Sequence, residues 1–232
     1  MKNSAIKSIW IILPIAFFFL FSHAFGQQTQ INSEEAKAYY NRGLAYMDNG
    51  QYDQAISDYT KTINIDPRYA LAYTGRGNAF ERKGEHDRAM SDYTKAIEIN
   101  PRYAEAYTGR GLAYKRKGKH DRAMSDYTKA IEINPKDAVA YNRLSWLLAT
   151  AMAPSFRNGK KAVELALKAC ELSDWKNPGY LDTLAAAYAR VGDFGNAVKW
   201  QEKALESPEL ANNTEAQQRL NFYRERKPWP AN

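Results

Sequence analysis

The chain has 232 residues, enough for a continuous hydrophobic core. Its single cysteine excludes an intrachain disulfide, so stability has to come from packing. The formal charge of +7 is unevenly spread, and the places where it concentrates bear on the partners the chain can take.

Residues 1–26 have the pattern of a secretory signal peptide. Lys2 and Lys7 precede the run Ile9–Phe21, which is apolar apart from Pro14. Ala24 and Gly26 then offer small residues before Gln27. The run has 13 residues, short of the ~20 that a spanning helix needs. An uncleaved N-terminal membrane anchor is the alternative. No cysteine follows the run, which rules out a lipoprotein anchor. The pattern implies export, to a bacterial periplasm or outside the cell, and disfavours nucleic acid as a partner. His23 and two positive charges leave with this segment. Residues 27–33 are a linker.

From residue 34 the chain is periodic. Ile65-Asp66-Pro67, Ile99-Asn100-Pro101 and Ile133-Asn134-Pro135 set their prolines 34 residues apart, the mark of a stacked repeat. Segments 68–101 and 102–135 differ only at Leu71/Glu105, Asn78/Leu112, Phe80/Tyr114, Glu81/Lys115 and Glu85/Lys119. The unit before them, 34–67, keeps the same skeleton with more drift. Each unit predicts two helices. The first carries Tyr73, Gly77 and Phe80, or Tyr107, Gly111 and Tyr114, on one face. Gly50, Gly84 and Gly118 suit a helix end in the left-handed region. The second opens at Asp87 or Asp121, where a carboxylate favours the positive terminus. Its inward stripe is Ala89, Tyr93, Ala96 and Ile97, matched by Ala123, Tyr127, Ala130 and Ile131. Gly77 and Ala89 let the helices approach, while Tyr93 and Phe80 fill the space around that contact.

Residues 136–176 are a worn fourth unit. Tyr141, Leu144, Ser145 and Leu148 restart the first-helix pattern, about five extra residues intervene around 152–160, and Ala162, Ala166 and Ala169 resume the second helix. Cys170 falls in that helix as buried packing, with an intermolecular disulfide or a reactive thiol as the alternative. Residues 177–210 form a fifth unit on Leu181, Leu184, Ala185, Tyr188, Gly192, Ala197 and Ala204. Residues 211–227 predict a capping helix with Ala216, Leu220 and Tyr223 inward, and 228–232 are a tail. One hairpin cannot bury its own stripe, so the units must stack and their ends must be capped.

The spacing aromatic–x3–Gly–x2–aromatic–x3–Gly–x4–Ala–x3–aromatic–x2–Ala–x4–Pro, present in the first unit as Tyr39, Gly43, Tyr46, Gly50, Ala55, Tyr59, Thr62 and Pro67, resembles the tetratricopeptide repeat. Thr62 stands where that family has alanine. The fifth unit looks like the terminal repeat of many bacterial members. The resemblance implies an all-α, right-handed superhelical solenoid of about five helix hairpins with a capping helix. It also implies a non-catalytic scaffold that binds a peptide or protein segment on its concave face.

The groove positions it implies are Tyr40, Leu44 and Asp48; Thr74, Asn78 and Arg82; Thr108, Leu112 and Arg116; then Asn142 and Trp146. Asn78 and Asn142 suit a peptide backbone. Leu44, Leu112 and Trp146 suit apolar side chains, with Trp146 the expected hot spot. Arg82 and Arg116 suit a carboxylate. The plainer alternative leaves some of these merely solvated. The clamp by which co-chaperone members hold a terminal carboxylate is absent: Tyr40, Leu44, Gly75, Glu105 and Gly109 occupy its slots.

Arg42, Arg76 and Arg110 recur where the family has leucine, and Asp58, Asp92 and Asp126 recur on the facing helix. They predict an Arg–Asp ladder, one pair per unit; the alternative turns each arginine into the groove. Unit 102–135 has eight basic and four acidic residues, against six and five in unit 68–101. Lys115, Arg116, Lys117 and Lys119 form a basic patch at a helix turn. That patch supports a second function, an envelope-associated module that self-associates or holds an anionic membrane or cell-wall surface. A solvated turn is its bland counterpart. His86 and His120 occupy the slot of Tyr52 and Phe194 and are ring-shaped fillers rather than metal ligands. No catalytic triad order, phosphate loop or Cys-x-x-Cys is present, so no enzyme, cofactor or metal is expected.

Overall fold

The computed structural model describes residue 30 and residues 32–229. The leader, its His23 and the end of the tail lie outside the described residues. Among the described residues the chain is helical with no strand. Helix α1 covers 32–48. It is followed by α2 (Tyr52–Ile65), α3 (Ala70–Arg82), α4 (His86–Ile99), α5 (Ala104–Arg116) and α6 (His120–Ile133). The worn units supply α7 (Ala138–Thr150), α8 (Gly159–Leu172), α9 (Pro178–Arg190) and α10 (Phe194–Leu205). A short α11 (Pro208–Ala211), which the sequence pattern does not reveal, precedes α12 (Thr214–Arg224).

The recurring Ile-Asx-Pro has a local cause. Asp66, Asn100 and Asn134 leave the helix in extended conformations. Each side-chain Oδ1 then accepts from the backbone N–H two residues on, at Arg68, Arg102 and Lys136, over 2.9, 3.1 and 3.1 Å. The intervening proline has no N–H to offer, so an Asx turn closes over it and starts the next helix. At the other turn, Gly84 takes φ +78 and the Glu85 N–H returns to Phe80 O at 2.9 Å, which closes the end of α3.

Packing between units rests on tyrosine and glycine. Tyr59, Tyr93 and Tyr127 are fully buried. A Cβ placed on Gly77 would lie 2.8 Å from the Tyr93 ring, and one on Gly109 would lie 2.6 Å from it. Tyr93 of α4 is therefore held between the first helix of its own unit and that of the next. Tyr59 sits the same way between Gly43 and Gly75. The first helices approach so closely that α3 touches α5, α5 touches α7 and α7 touches α9. Among the described residues, second helices of successive units do not pack extensively on one another. The stack therefore presents α3, α5 and α7 on its inner face.

The fourth unit changes this scheme. Ser145 and Ala166 replace the glycine and the tyrosine, and Ser145 Oγ donates to Ala162 O at 2.7 Å. Leu144 and Leu165 replace the arginine and the aspartate and join one apolar cluster that runs from α6 to α12. N-capping changes at the same place. Helices α2 to α6 have no side-chain cap. Asp137, Asn158, Asn177, Asp193, Ser207 and Asn213 each cap one of α7 to α12, a gain of about 1 kcal/mol per helix. Of the 152–160 insertion, Pro154–Phe156 forms one 3-10 turn. Arg157 pins it by donating to Ala151 O and Met152 O at 2.7 and 2.6 Å, and Phe156 meets the His120 ring edge-on at 5.5 Å. Ala216, Leu220 and Tyr223 of α12 are buried, closing the end of the stack.

Gly109→Ala sets helix propensity against the ring contact. Alanine gains about 1 kcal/mol in a helix, while overpacking a buried ring costs about 1–3 kcal/mol. The expected outcome in thermal melts is a lower Tm for Gly109→Ala. Gly195→Ala, at an exposed helical site whose nearest neighbour is Asp193 Oδ1 at 3.7 Å, should leave Tm unchanged or raised.

Candidate functional site

The recurrent arginines are bound to the recurrent aspartates. Arg76 Nε and Nη2 donate to the two oxygens of Asp92, both at 2.8 Å. Arg110 meets Asp126 in the same fork at 2.8 and 2.9 Å. Arg42 Nη2 donates to Asp58 Oδ1 at 2.8 Å, with Nε bonded to Oδ2. The forks of Arg76 and Arg110 carry a third bond that sequence spacing did not reveal. Arg76 Nη1 donates to Thr60 of the preceding unit at 3.0 Å, and Arg110 Nη1 to Thr94 at 3.3 Å. The ladder thus ties each of these units to the one before. Hydrogen bonds from Arg42 hold the Asp58 carboxyl below the usual carboxylate range against the opposing effect of burial, with Lys61 adding to them. These guanidinium groups are committed to carboxylates and do not serve the groove.

Two cavities open on the inner face. The first, about 530 Å³, lies between α3, α5 and α7 and takes in Asn78, Arg82, Thr108, Leu112 and Arg116. The second, about 280 Å³, lies between α5, α7, α9 and α12 and takes in Asn142 and Trp146. Arg143 lines both. The groove is therefore continuous across the boundary between the near-identical and the worn units.

Several expected groove residues sit outside the two cavities, and others within them are already engaged by the fold. Thr74 is only 1 % exposed and belongs to the core, because α3 is pressed against its neighbours there. Tyr40 packs against the Tyr59 and Tyr69 rings at 5.7 and 5.2 Å. Leu44 and Asp48 are exposed but line neither cavity. Thr108 is mostly buried, and its hydroxyl donates to Asp137 Oδ2 at 3.1 Å. Asn78 is not free for a peptide backbone: its Oδ1 accepts from Tyr93 OH at 2.7 Å and its Nδ2 donates to Glu105 at 3.3 Å. Trp146 has the Arg219 guanidinium over its ring at 5.4 Å. The same guanidinium lies 5.4 Å from Trp229 and donates to Asp182 at 2.8 Å.

The basic patch is not one surface. Lys115 turns into the second cavity and Arg116 into the first. Lys117 bonds to Asp87 of the preceding unit, leaving Lys119 exposed at the mouth of α6. The cause is helical geometry. Lys115 and Arg116 lie on the last turn of α5, while Lys117 begins the turn that faces the neighbouring hairpin. His86 Nδ1 lies 2.8 Å from Glu81 Oε2, and His120 meets Phe156 edge-on, so both rings have partners within the fold. Burial pushes the Cys170 thiol up to about 12, which leaves it a poor nucleophile. Among the described residues no group of three or more His, Cys, Asp or Glu is placed to hold a metal ion, and no helix is long and apolar enough to cross a membrane.

Sequence reasoning missed Arg143, Glu81, Glu105 and Asp137 in the first cavity and Arg219 in the second. The signal for Arg143 was available. It occupies the register of Gly75 and Gly109, where the two preceding units leave no room for a side chain.

Profiles described as tetratricopeptide repeat match residues 36–69 and 104–137, 126–162, and 179–209, and one described as TPR repeat matches 82–118. No curated protein matches. Among solved structures, the chain is similar to a thermophilic TPR protein of Thermus thermophilus, at 20% identity over 82% of this chain and 99% of that one, with a TM-score of 0.64. It is similar to MamA at 25% identity, over 79% of this chain and 97% of that one, with a TM-score of 0.58. The figures for YrrB, described as a TPR protein with an unusual peptide-binding site, are 19%, 84%, 96% and 0.57.

Removing Asp92 would leave the Arg76 fork, mostly withdrawn from solvent, with only the Thr60 hydroxyl. Asp92→Ala is expected to cost about 2 kcal/mol, seen as a lower Tm by calorimetry. An unchanged Tm would remove the ladder from the forces that hold the units together.

Proposed function

Because the chain belongs to the tetratricopeptide-repeat family, we propose that it is a non-catalytic scaffold that holds an extended peptide or protein segment along α3, α5 and α7. The observation that carries this is the continuity of the two cavities through Arg143. Their lining is the mixed kind that suits a peptide, with Leu112, Val139 and Trp146 for apolar side chains and charges of both signs between them. Buried polar atoms without hydrogen-bond partners face the second cavity: Tyr127 OH, Asn142 Oδ1 and Arg143 Nε. Such atoms cost free energy until a ligand meets them. The alternative of an anionic surface held by a basic patch loses support, since two of its four cations point into the groove and a third is bonded to Asp87.

Selection of random peptides on the full chain tests this directly. The parent should enrich a defined set, and both Leu112→Asp and Arg116→Glu should lose it while keeping the parental Tm. Enrichment of the same peptides by both variants would end the groove proposal.

We infer also that the protein acts outside the cytoplasm. The support is the order of Lys2 and Lys7, the apolar run Ile9–Phe21 and the small residues at Ala24 and Gly26. N-terminal sequencing of the protein recovered from an exported fraction should read from Gln27. A chain found only in the cytoplasm would count against export.

A further inference from the structure

The second cavity holds two cations that the fold does not neutralise. Lys115 and Arg143, both half-buried, line the second cavity, and among the described residues neither forms an ion pair. Arg143 Nε is buried with no hydrogen-bond partner. Arg219, the third cation there, is different: Asp182 at 2.8 Å and Glu215 at 3.6 Å already answer its charge. The two acids of the cavity are thus spent on Arg219, and Lys115 and Arg143 remain over.

The remaining polar groups narrow the ligand. Tyr127 OH and Asn142 Oδ1 are buried and unpartnered at the same cavity. A lone acceptor such as Asn142 Oδ1 asks for a donor. A simple deprotonated anion answers Lys115 and Arg143 but has no N–H for Asn142. A residue within a peptide has both, a carboxylate on its side chain and N–H groups on its backbone. Trp146 supplies an apolar wall beside them.

We propose that the cavity between α5, α7, α9 and α12 is a subsite for an acidic side chain of a bound peptide, with the carboxylate between Lys115 and Arg143 and an adjoining backbone N–H on Asn142. This rests on the scaffold function proposed above and adds to it the chemistry of one ligand residue. The preceding unit lacks the subsite for stated reasons. Gly109 stands at the register of Arg143, and Glu81 stands at the register of Lys115. Glu81 reverses the sign of the charge, so the acid-binding position occurs where the near-identical units give way to the worn ones. Burial, with the like charges of Arg116 and Arg143 added, already holds the Lys115 ammonium below the usual lysine range. An incoming carboxylate relieves that repulsion.

The test uses the full chain and two blocked peptides, acetyl-Ala-Ala-Glu-Ala-Ala-amide and its glutamine counterpart, so that the only carboxylate is the side chain. Binding is followed by NMR titration. The glutamate peptide should bind about tenfold more tightly or better, as expected for two charge-assisted bonds. That preference should vanish in Lys115→Gln and in Arg143→Gln. The Tm of Arg143→Gln should equal or exceed the parent's, since a half-buried cation without an ion-pair partner is removed; a structural role would lower it instead. Equal affinity for the two peptides overturns the subsite and leaves the scaffold standing. Free glutarate binding as tightly as the glutamate peptide overturns the peptide assignment in favour of a small diacid. If neither blocked peptide binds, the subsite falls, and the library selection then decides separately whether the scaffold falls with it.

Discussion

The structure depends on one close approach, the passage of a tyrosine ring between glycines of two successive first helices. The Tyr93 ring leaves no room for a Cβ at either Gly77 or Gly109. That contact brings the first helices together and leaves the second helices splayed, which gives the stack its inner face. It also delivers polar atoms to that face. Tyr93 lines the first cavity, where Asn78 accepts from its hydroxyl, and Tyr127 lines the second, where its hydroxyl has no partner. A packing device and a binding surface therefore share the same residues.

The near-identical units and the worn units solve the same problem with different chemistry. The first set uses Tyr, Gly and a fork of Arg on Asp that reaches back to the preceding threonine. The second set uses Leu144, Leu165, Ala166 and Ser145 in place of these, joins the leucines and the alanine to a single apolar cluster, and adds a side-chain cap to each helix. Charged forks are geometrically specific and fix the register between units. Apolar packing scales with the area buried and is less directional. The junction between the two schemes falls at α7, and the residue freed from both is Arg143.

Three of the five differences between the two middle units are where the inner face acquires its character. Asn78, Glu81, Leu112, Lys115 and Glu105 all line the cavities. The replacement of Glu81 by Lys115 exchanges an acid for a base one repeat further along. A duplicated fold with local changes of charge yields a groove that differs along its length.

Much was legible in the sequence because it followed from local rules. The proline period, the glycine turns and the aromatic positions specify helix ends and inward stripes, and these need only chain geometry and burial. The Arg–Asp partners were legible too, because their types match and their spacing repeats. Lining was less legible. Thr74 and Asn78 lie at groove positions by register, yet one is buried and the other is bonded to Tyr93 and Glu105. Which polar group is left without a partner depends on neighbours from other units, and register alone does not count them. The order of residues was enough to specify a stack of helical hairpins and the faces they bury. It took the packed helices to decide which charges on the inner face cancel and which, at Lys115 and Arg143, remain, because that balance is set by contacts between helices far apart in the chain.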